Sequence, residues 1–477
     1  MFKKLNNILC ITIKISQSSR IYDIYLHAQE TVIKLHNLIL WLLLMQGMYK
    51  DKSKVKSFKM IDKLISPNHF LRKILSLIDF KFVDTETESL FSPNRGRESV
   101  PPQQYFKMML IKHLYGISSI RQLVENIQYN IAYRWFCGFT IEDKIPDQSF
   151  FSKMKKRLGA NYFERFFNAI LQQCIDKGLV KSESVMTDST LFNANASFDS
   201  MLRIDGKKRI PGKEKFSNKT HKSITDPDAT LAFKAGTTRS LKYKAHVCSD
   251  TESRVIINLK VTTGAVHDSV PFIEQIEDIR HYGLKVNEAI ADSAYGSADI
   301  LTELSRRSIS SNIPLFSSRS GSEKSANKLD GFAYNTQKDE FICPNGKSLK
   351  STNTKADNVL YISKSKDCTS CPLASGCAAK VRNKSGSRVV SRNRNAELFK
   401  QVREKMERDE FKQKMYQRMW KLEGIMNELK NCNGLGRANY RGLDNVRVQG
   451  YMAAIAINIK RIVYFLLYIT TLKMFLF

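Results

Sequence analysis

Two short apolar runs, each followed at once by a polar turn that contains an aspartate, place the strongest constraint on how this chain folds. Val185 and Met186 lie just before Asp188, and the run 287–291 ends directly at Asp292. Because parallel strands end at the same edge of a sheet, two such carboxylates are expected to face one cleft. Like charges in a dry cleft repel each other unless a divalent cation lies between them. The pattern therefore predicts a metal-binding aspartate pair.

The segment around these aspartates changes from helical to strand-like periodicity. Runs at 185–186, 242–247 and 254–261 predict strands, and a helix is predicted at 271–282. The strand that ends in Asp292 comes next, followed by a helix at 297–306. An order of three strands, a helix, a strand and a helix predicts an α/β core.

The overall charge of the chain indicates which kinds of partner it binds. Its 477 residues contain 76 Lys and Arg against 46 Asp and Glu, a formal net charge of +30. A polyanion is the natural partner of such a surface, with nucleic acid the first candidate and an anionic membrane second. A generally basic proteome is the third explanation. The hydrophobic content of 42% supports a large core and about two to four domains.

The first 59 residues differ in composition from the rest and are assigned to an atypical extension. Their apolar run at 38–45 is well short of the ~20 residues that span a bilayer. A translation start placed too far upstream, with Met48 or Met60 as the true start, is one explanation; a peripheral amphipathic helix is the other. No secretory signal is recognisable, so a cytoplasmic location with free or metal-bound thiols is expected for the nine cysteines.

Residues 60–178 have helical periodicity and are predicted to form an all-α domain. Two helices within 105–127 are separated by Gly116, and Ser118 or Ser119 can cap the second. Arg121 then lies where the recognition helix of a helix-turn-helix meets DNA. An ordinary pair of bundle helices remains the alternative to specific DNA binding.

A third acidic ligand is expected from the charged helical stretch at 396–430. Tyr416, Glu423 and Lys430 lie along one line of that helix, because a seven-residue step drifts by only about 20°. Glu428 is about 140° away from Glu423 and is the poorer candidate. An ordinary solvated helix would show the same charges.

The polar stretch 311–395 contains Cys343, Cys368, Cys371 and Cys377. One C-x-x-C pair with two flanking cysteines predicts a zinc site, and free surface thiols are the alternative. Because the stretch shows few apolar residues for a core, a metal would be needed to order it. In the turn at 267–268, His267 is expected to be satisfied by local hydrogen bonds rather than to act in acid–base catalysis.

Taken together, these motifs resemble those of the DDE transposases of bacterial insertion sequences. The resemblance extends over about 62–463 and is carried by these motifs: 187–190 around Asp188, 242–246 with 261–269, 291–297 around Asp292, and Tyr416, Glu423 and Lys430. The arginine of the family's helix signature is expected at position 419, which is Met419. Its neighbour Arg418 lies about 100° round the helix, which leaves the role of that arginine open.

The resemblance implies an RNase H-like mixed sheet flanked by helices, preceded by an all-α domain and interrupted by a cysteine-containing insertion. The expected boundaries are an extension at 1–59, a helical DNA-binding domain at 60–178, the first part of the catalytic core at 179–310, the insertion at 311–395, the C-terminal core helices at 396–463 and a hydrophobic tail at 464–477. Asp188, Asp292 and Glu423 would bind Mg²⁺ or Mn²⁺. The phosphate-binding residues would be Lys430, Arg437, Arg441, Arg447 and, in the helical domain, Arg121.

The implied function is a transposase that cuts and joins double-stranded DNA at element ends, acting as a homodimer on DNA away from membranes. A DNA-binding protein without activity, including an inactive transposase copy, is one alternative. A metal-dependent nuclease that does not join strands is another. Metal-dependent cleavage separates the enzymes from the binding protein, and joining of a cut 3′ end separates the transposase from the nuclease.

Overall fold

The computed structural model describes residues 52–91, 99–181, 183–206, 216–233, 236, 239–315, 331–355, 358–382 and 386–476. The described chain divides into two compact units. The N-terminal unit contains residues up to Lys112 together with Ile117–Ala169, and the C-terminal unit contains His113–Gly116 and everything from Ile170 onward. Most of the expected extension, residues 1–51, lies outside the described residues, as does Phe477 of the tail.

The N-terminal unit is built from helices, the last of which continues into the C-terminal unit. They are α1 Lys56–Leu64, α2 Phe70–Leu77, α3 Lys81–Thr87, α4 Pro102–Leu114, α5 Ile120–Tyr129, α6 Ile131–Phe136 and α7 Gln148–Asp176. Ser119 caps α5, since its side chain accepts a hydrogen bond from the backbone N–H of Gln122. A left-handed Gly159 kinks α7.

Aromatic rings fill the interior of this unit. Phe106 lies 5.4 Å from Phe166 and 6.1 Å from Phe80 between ring centroids, and Phe80 meets Phe136 edge-on at 6.2 Å. Such pairs add about 0.5–1.5 kcal/mol each beyond the area that they bury. Lys107 and Lys112 of α4 are also almost fully buried.

Burial lowers the pKa of Lys112 to about 8, so the unfolded chain binds the proton more tightly than the folded one. Stability should therefore be lowest below pH 8 and rise as the pH increases toward 10.5. We expect Lys112→Met to stabilise the protein at pH 7 by up to about 3 kcal/mol, with the difference vanishing above the ordinary lysine pKa. Thermal unfolding of wild type and variant across this pH range measures it. The exposed Lys63→Met is the matched control, and an equal gain there would contradict the explanation.

A mixed six-stranded sheet forms the centre of the C-terminal unit. The strands up to residue 312 are β1 Ser184–Asn193, β2 Met201–Arg203, β3 His221–Ser223, β4 Thr230–Ala232, β5 Ser240–Asp250, β6 Ile256–Thr263, β7 Glu288–Ile290 and β8 Ser310–Asn312. The order is β4-β5-β1-β7-β8, with β6 also paired to β5, while β2 and β3 form a separate hairpin. β5 is antiparallel to β1 and β6, whereas β7 is parallel to both β1 and β8. The predicted mixed sheet is therefore present.

The helices of this unit are α8 Phe272–His281, α9 Ala298–Arg306, α10 Ser365–Thr369, α11 Ala396–Met406, α12 Asp409–Asn427 and α13 Leu443–Leu476. A π-helical turn, Glu428–Cys432, follows α12 directly. Buried Asn458 of α13 ties this helix to β6, because its side-chain amide bonds both the N–H and the C=O of Ile256 at 2.8 Å.

Within the described residues, one helical stretch, Leu443–Ile469 of α13, is long and apolar enough to cross a membrane. More than half of its most apolar window is buried inside the protein. A core helix passes the same test of length and composition, so the stretch is weak evidence for a membrane span.

A second six-stranded sheet occupies the stretch that contains the cysteines. Its strands are β9 Ala333–Asn335, β10 Glu340–Ile342, β11 Ser348–Lys355, β12 Asn358–Ile362, β13 Lys380–Arg382 and β14 Ser387–Asn393. They pair antiparallel in the order β13-β14-β12-β11-β10-β9. The sequence-based expectation that this stretch lacks a core is wrong, because a small buried cluster forms around Phe341, Tyr361 and Val390. The five buried residues of this cluster are scattered along the stretch among polar residues, so they give no continuous apolar pattern.

Replacing Asn458 with alanine should destabilise the protein by about 2–4 kcal/mol, because the backbone N–H and C=O of Ile256 would both be left buried and unbonded. The midpoint of urea denaturation measures this loss. Asn445→Ala, an exposed position on the same helix, is the control and should shift the free energy of unfolding by no more than about 0.5 kcal/mol. Equal effects at the two positions would contradict this role of Asn458.

Candidate active site

Strand register brings the two aspartates together. In the parallel pair β1–β7, Met186 lies opposite Ile290, so Asp188 and Asp292 each come two residues after that pair. Asp188 remains within β1, opposite Val247 of β5. Asp292 has just left β7 and caps the following turn, where its Oδ1 accepts from the N–H of Ala294 at 2.9 Å. The predicted neighbourhood of the two carboxylates is therefore present at this end of β7.

Arg418 of α12 lies between the two carboxylates. Its Nη2 is 3.0 Å from Oδ2 of Asp188 and 3.8 Å from Oδ2 of Asp292, and its Nε donates to the carbonyl of Thr187 at 3.3 Å. The guanidinium is nearly buried, with a side-chain exposure of 9%. A positive charge therefore already lies where the sequence predicts a cation between the aspartates.

Electrostatics at Asp188 reflect competing influences. The pKa of this carboxyl is raised above its ordinary value, chiefly by burial and further by the negative charge of Asp292, while Arg418 opposes the rise. Two neighbouring carboxylates repel each other unless a positive charge lies near them. In the described structure Arg418 supplies that charge.

A third carboxylate, Asp268, lies beside the pair and was missed as a site residue. Lys244 of β5 bonds its Oδ1 at 2.5 Å, the Ser189 hydroxyl also bonds it, and its charge contributes to the raised pKa of Asp188. It lies in the turn at 267–268, where the sequence favoured local hydrogen bonding over catalysis. His267 next to it bonds the Ser269 hydroxyl at 2.7 Å, the local bonding that was expected.

Glu423 has a different position from the aspartates. It is exposed, and it lies about 140° around α12 from Arg418, on the face that also exposes Tyr416 and Trp420. Among the described residues, no group of three or more His, Cys, Asp or Glu side chains is arranged to hold a metal ion. The structure therefore brings together Asp188 and Asp292 but does not add Glu423 to a ligand group.

The remaining features of α12 resolve two questions that the sequence left open. Arg418, not position 419, faces the aspartates, while Met419 is exposed. Glu428 forms ion pairs with Arg254 at 3.3 Å and Arg461 at 2.5 Å, which makes it a structural anchor of the π-helical turn.

Exposed cations lie beyond the far end of β1. The backbone of Arg437 bridges to Asn193, the last residue of β1, and Arg441 Nε donates to the carbonyl of Asn195 at 3.2 Å. Arg447 pairs with Asp444 at 3.2 Å, and Lys430 belongs to the π-helical turn. Arg121 is exposed in the first turn of α5, in the N-terminal unit.

All four predicted zinc ligands, Cys343, Cys368, Cys371 and Cys377, line one cavity of about 520 Å³ in the second sheet region. Cys343 and Cys377 also pack against its small apolar cluster.

Two family profiles match separate parts of the chain. The first, described as "Transposase domain (DUF772)", matches residues 59–157 and so lies within the helical region. The second, described as "Transposase DDE domain", matches residues 342–463, which include the four cysteines, Arg418 and Glu423. These two matches support a DDE transposase. Asp188 and Asp292 lie outside both matched segments, so their roles rest on the geometry above.

Two of the solved structures that resemble this transposase are themselves transposases. A piggyBac transposase synaptic complex with hairpin DNA matches over 88% of this chain and 77% of that one, at 12% identity and a TM-score of 0.33. A Mos1 transposase paired-end complex covers 55% of this chain and 78% of that one, at 8% identity and a TM-score of 0.15. Curated proteins give no significant match.

Removing the guanidinium should reveal its charge-balancing role. Arg418→Met leaves two partly exposed carboxylates facing each other, and we expect a destabilisation on the order of 1–2 kcal/mol at pH 7, measured by urea unfolding. Adding Asp188→Asn to that variant should recover part of the loss, since it removes one of the repelling charges. Lys412→Met on the exposed face of α12 is the control and should cost little. Additive effects of Arg418→Met and Asp188→Asn would contradict the coupling.

Proposed function

We propose that this transposase cleaves and joins DNA strands at the ends of its element, with Asp188 and Asp292 as ligands of a divalent cation. The observation that supports the proposal most is the β1–β7 register, which places both carboxylates at the same end of adjacent parallel strands. Carboxylate oxygens are the hard donors that Mg²⁺ and Mn²⁺ prefer. The position of Arg418 Nη2 near both carboxylates supports the proposal, because a positive charge already lies there.

The sheet supports an RNase H-like interpretation of the core. Three consecutive large strands, β6, β5 and β1, are antiparallel neighbours, and β7 and β8 continue from β1 in parallel. This arrangement puts Asp188 on the central strand and Asp292 at the end of its parallel neighbour.

When bound, the metal would lower the pKa of the attacking water or 3′-hydroxyl and stabilise the leaving oxygen. Asp188 and Asp292 bind it, and the Lys244–Asp268 pair beside them holds the Ser189 segment of β1 in place. Arg418 is displaced from the carboxylates in this scheme, and its guanidinium becomes available to a DNA phosphate. Arg437, Arg441, Arg447 and Lys430 are proposed to hold further phosphates, because they lie on or near the segment that follows α12.

Glu423 is proposed as the third acidic ligand. It lies on the outer face of α12 in the present arrangement, so this role requires α12 to reorient when DNA and metal bind. The adjoining π-helical turn supports such movement, because π-bulges often mark functional sites. Arg121 in the helical domain is proposed as a further DNA-binding residue. The protein is also proposed to bind double-stranded DNA as a homodimer, in the cytoplasm and without membrane attachment.

The aspartates can be tested with one DNA end taken from the element's own flanking sequence. Asp188→Asn and Asp292→Asn should each reduce Mg²⁺-dependent cleavage by at least about 10³-fold, because the metal would lose an anionic ligand. DNA binding measured by gel shift should stay within a factor of about two. The exposed Asp409→Asn is the control. Cleavage that persists in both aspartate variants would overturn the proposed site.

Glu423→Gln tests the third ligand on the same substrate. We expect cleavage to fall at least about 10²-fold, while Glu410→Gln, an exposed change in the first turn of the same helix, should leave it unchanged. Loss of activity in Glu423→Gln with unaltered unfolding free energy would support a catalytic rather than structural role. Undiminished cleavage would remove Glu423 from the site.

The outer position of Glu423 favours a second candidate, a DNA-binding transposase copy without catalysis. Specific binding to the element end with no metal-dependent cleavage by wild-type protein would select it. Cleavage without joining of the cut 3′ end to a target would instead select a nuclease.

A further inference from the structure

Within the second sheet, three separate chain segments bring their cysteines to one cavity. Cys343 directly follows β10, Cys368 lies in α10, Cys371 follows that helix, and Cys377 precedes β13. All four are free thiols that are partly buried, and all four line the same cavity of about 520 Å³. We propose that they bind one structural Zn²⁺, a site that goes beyond the proposed DNA chemistry.

The first segment is a tight turn of the kind that presents a metal-binding cysteine. The sequence Cys343-Pro344-Asn345-Gly346 closes between β10 and β11, where the N–H of Cys343 bonds the carbonyl of Lys347 at 2.9 Å. The N–H of Gly346 bonds the carbonyl of Cys343 at 2.8 Å, and Gly346 has φ of +70°, a conformation that favours glycine. The turn is therefore fixed by its own backbone.

The C-x-x-C segment is a second turn that contacts the first. The N–H of Cys371 points to the carbonyl of Cys368 at 3.4 Å, and the N–H of Ala374 bonds the carbonyl of Cys371 at 3.1 Å. Asn345 donates from its side-chain amide to the sulfur of Cys371 at 3.6 Å. This bond joins the two turns directly and gives a thiolate at Cys371 a donor that would orient it.

The segment with Cys377 is held by Arg388 of β14. The guanidinium donates to the carbonyls of Cys377 at 3.2 Å and Ala379 at 3.0 Å, and it also bonds the carbonyl of Ala374. Three backbone acceptors on one side chain fix this loop against the sheet. Backbone hydrogen bonds and Arg388 therefore hold the three cysteine-bearing segments around the cavity.

The size of the core explains why a metal is needed. Five buried residues, among them Phe341, Leu349 and Tyr361, support six short strands. Small modules with so little buried apolar surface generally depend on disulfides or a metal. No disulfide joins the described cysteines. Soft thiolates select Zn²⁺, and Zn²⁺ is bound as tetrahedral Cys₄ in structural sites.

The thiols are gathered around the cavity but are not closed into a ligand group among the described residues. Metal binding and folding are coupled in such modules, so zinc would draw the four sulfurs to about 2.3 Å from a common centre. The four thiols differ chemically from the carboxylate pair, because carboxylate oxygens prefer harder ions such as Mg²⁺.

Zinc content of the purified full chain tests the proposal. We expect about one equivalent per chain, falling below about half in Cys371→Ser and in Cys377→Ser, because three thiolates bind zinc far more weakly than four. Cys432→Ser, an exposed cysteine of the π-helical turn, is the matched control and should keep the wild-type content. Less than half an equivalent in wild type, or unchanged zinc in Cys371→Ser, would overturn the proposal.

A second measurement covers variants that fail to fold. Co²⁺ added to the chelated wild-type chain should give the visible absorption of a tetrahedral thiolate site and restore protection of the 331–395 region against protease. Co²⁺ spectra typical of octahedral oxygen ligands, or protease resistance that is the same with and without metal, would overturn it. Neither readout involves DNA cleavage, so failure here is distinguishable from failure of the proposed catalytic function.

Discussion

Electrostatic repulsion between two carboxylates at one end of adjacent parallel strands is the constraint on which the rest of the site depends. Asp188 and Asp292 repel each other in this partly buried cleft unless a cation lies beside them. In the described structure Arg418 is that cation, at 3.0 and 3.8 Å from their oxygens. The helix that carries Arg418 must therefore pack across β1 and β7, and this requirement fixes the path of the chain after the second sheet.

The two faces of α12 consequently have different surroundings. Its inner face carries Arg418, Leu422 and Ile425 into the core, whereas Tyr416, Trp420 and Glu423 lie outside. A buried arginine bound to two acids is a poor source of stability compared with an apolar side chain, because desolvation offsets most of the attraction. Its retention is more readily understood if the carboxylates are needed for another cation and the arginine for another anion, as in DNA cleavage.

The second sheet poses a different physical problem. Its strands are short and polar, and its buried cluster is small. Backbone hydrogen bonds and the three contacts of Arg388 define the geometry of its turns, but they add little free energy of unfolding, since each replaces a bond to water. Four thiols line a cavity at the junction of those turns, and a metal bound there, as proposed above, would supply the stability that the small apolar core lacks.

The sequence alone determined the mixed α/β character, the helical N-terminal region and the strands that carry Asp188 and Asp292, because strand and helix periodicities are local properties. It also indicated the transposase family through motif order. It did not reveal the second sheet, since most of its strands are short and carry only one or two apolar residues, which give no clear period. Only the tertiary structure decided which arginine meets the aspartates, that Asp268 joins their surroundings and that Glu423 lies outward. Those outcomes depend on how α12 is rotated against the sheet, and that rotation is set by the packing of Phe411, Leu422 and Ile425 rather than by any signal within the helix.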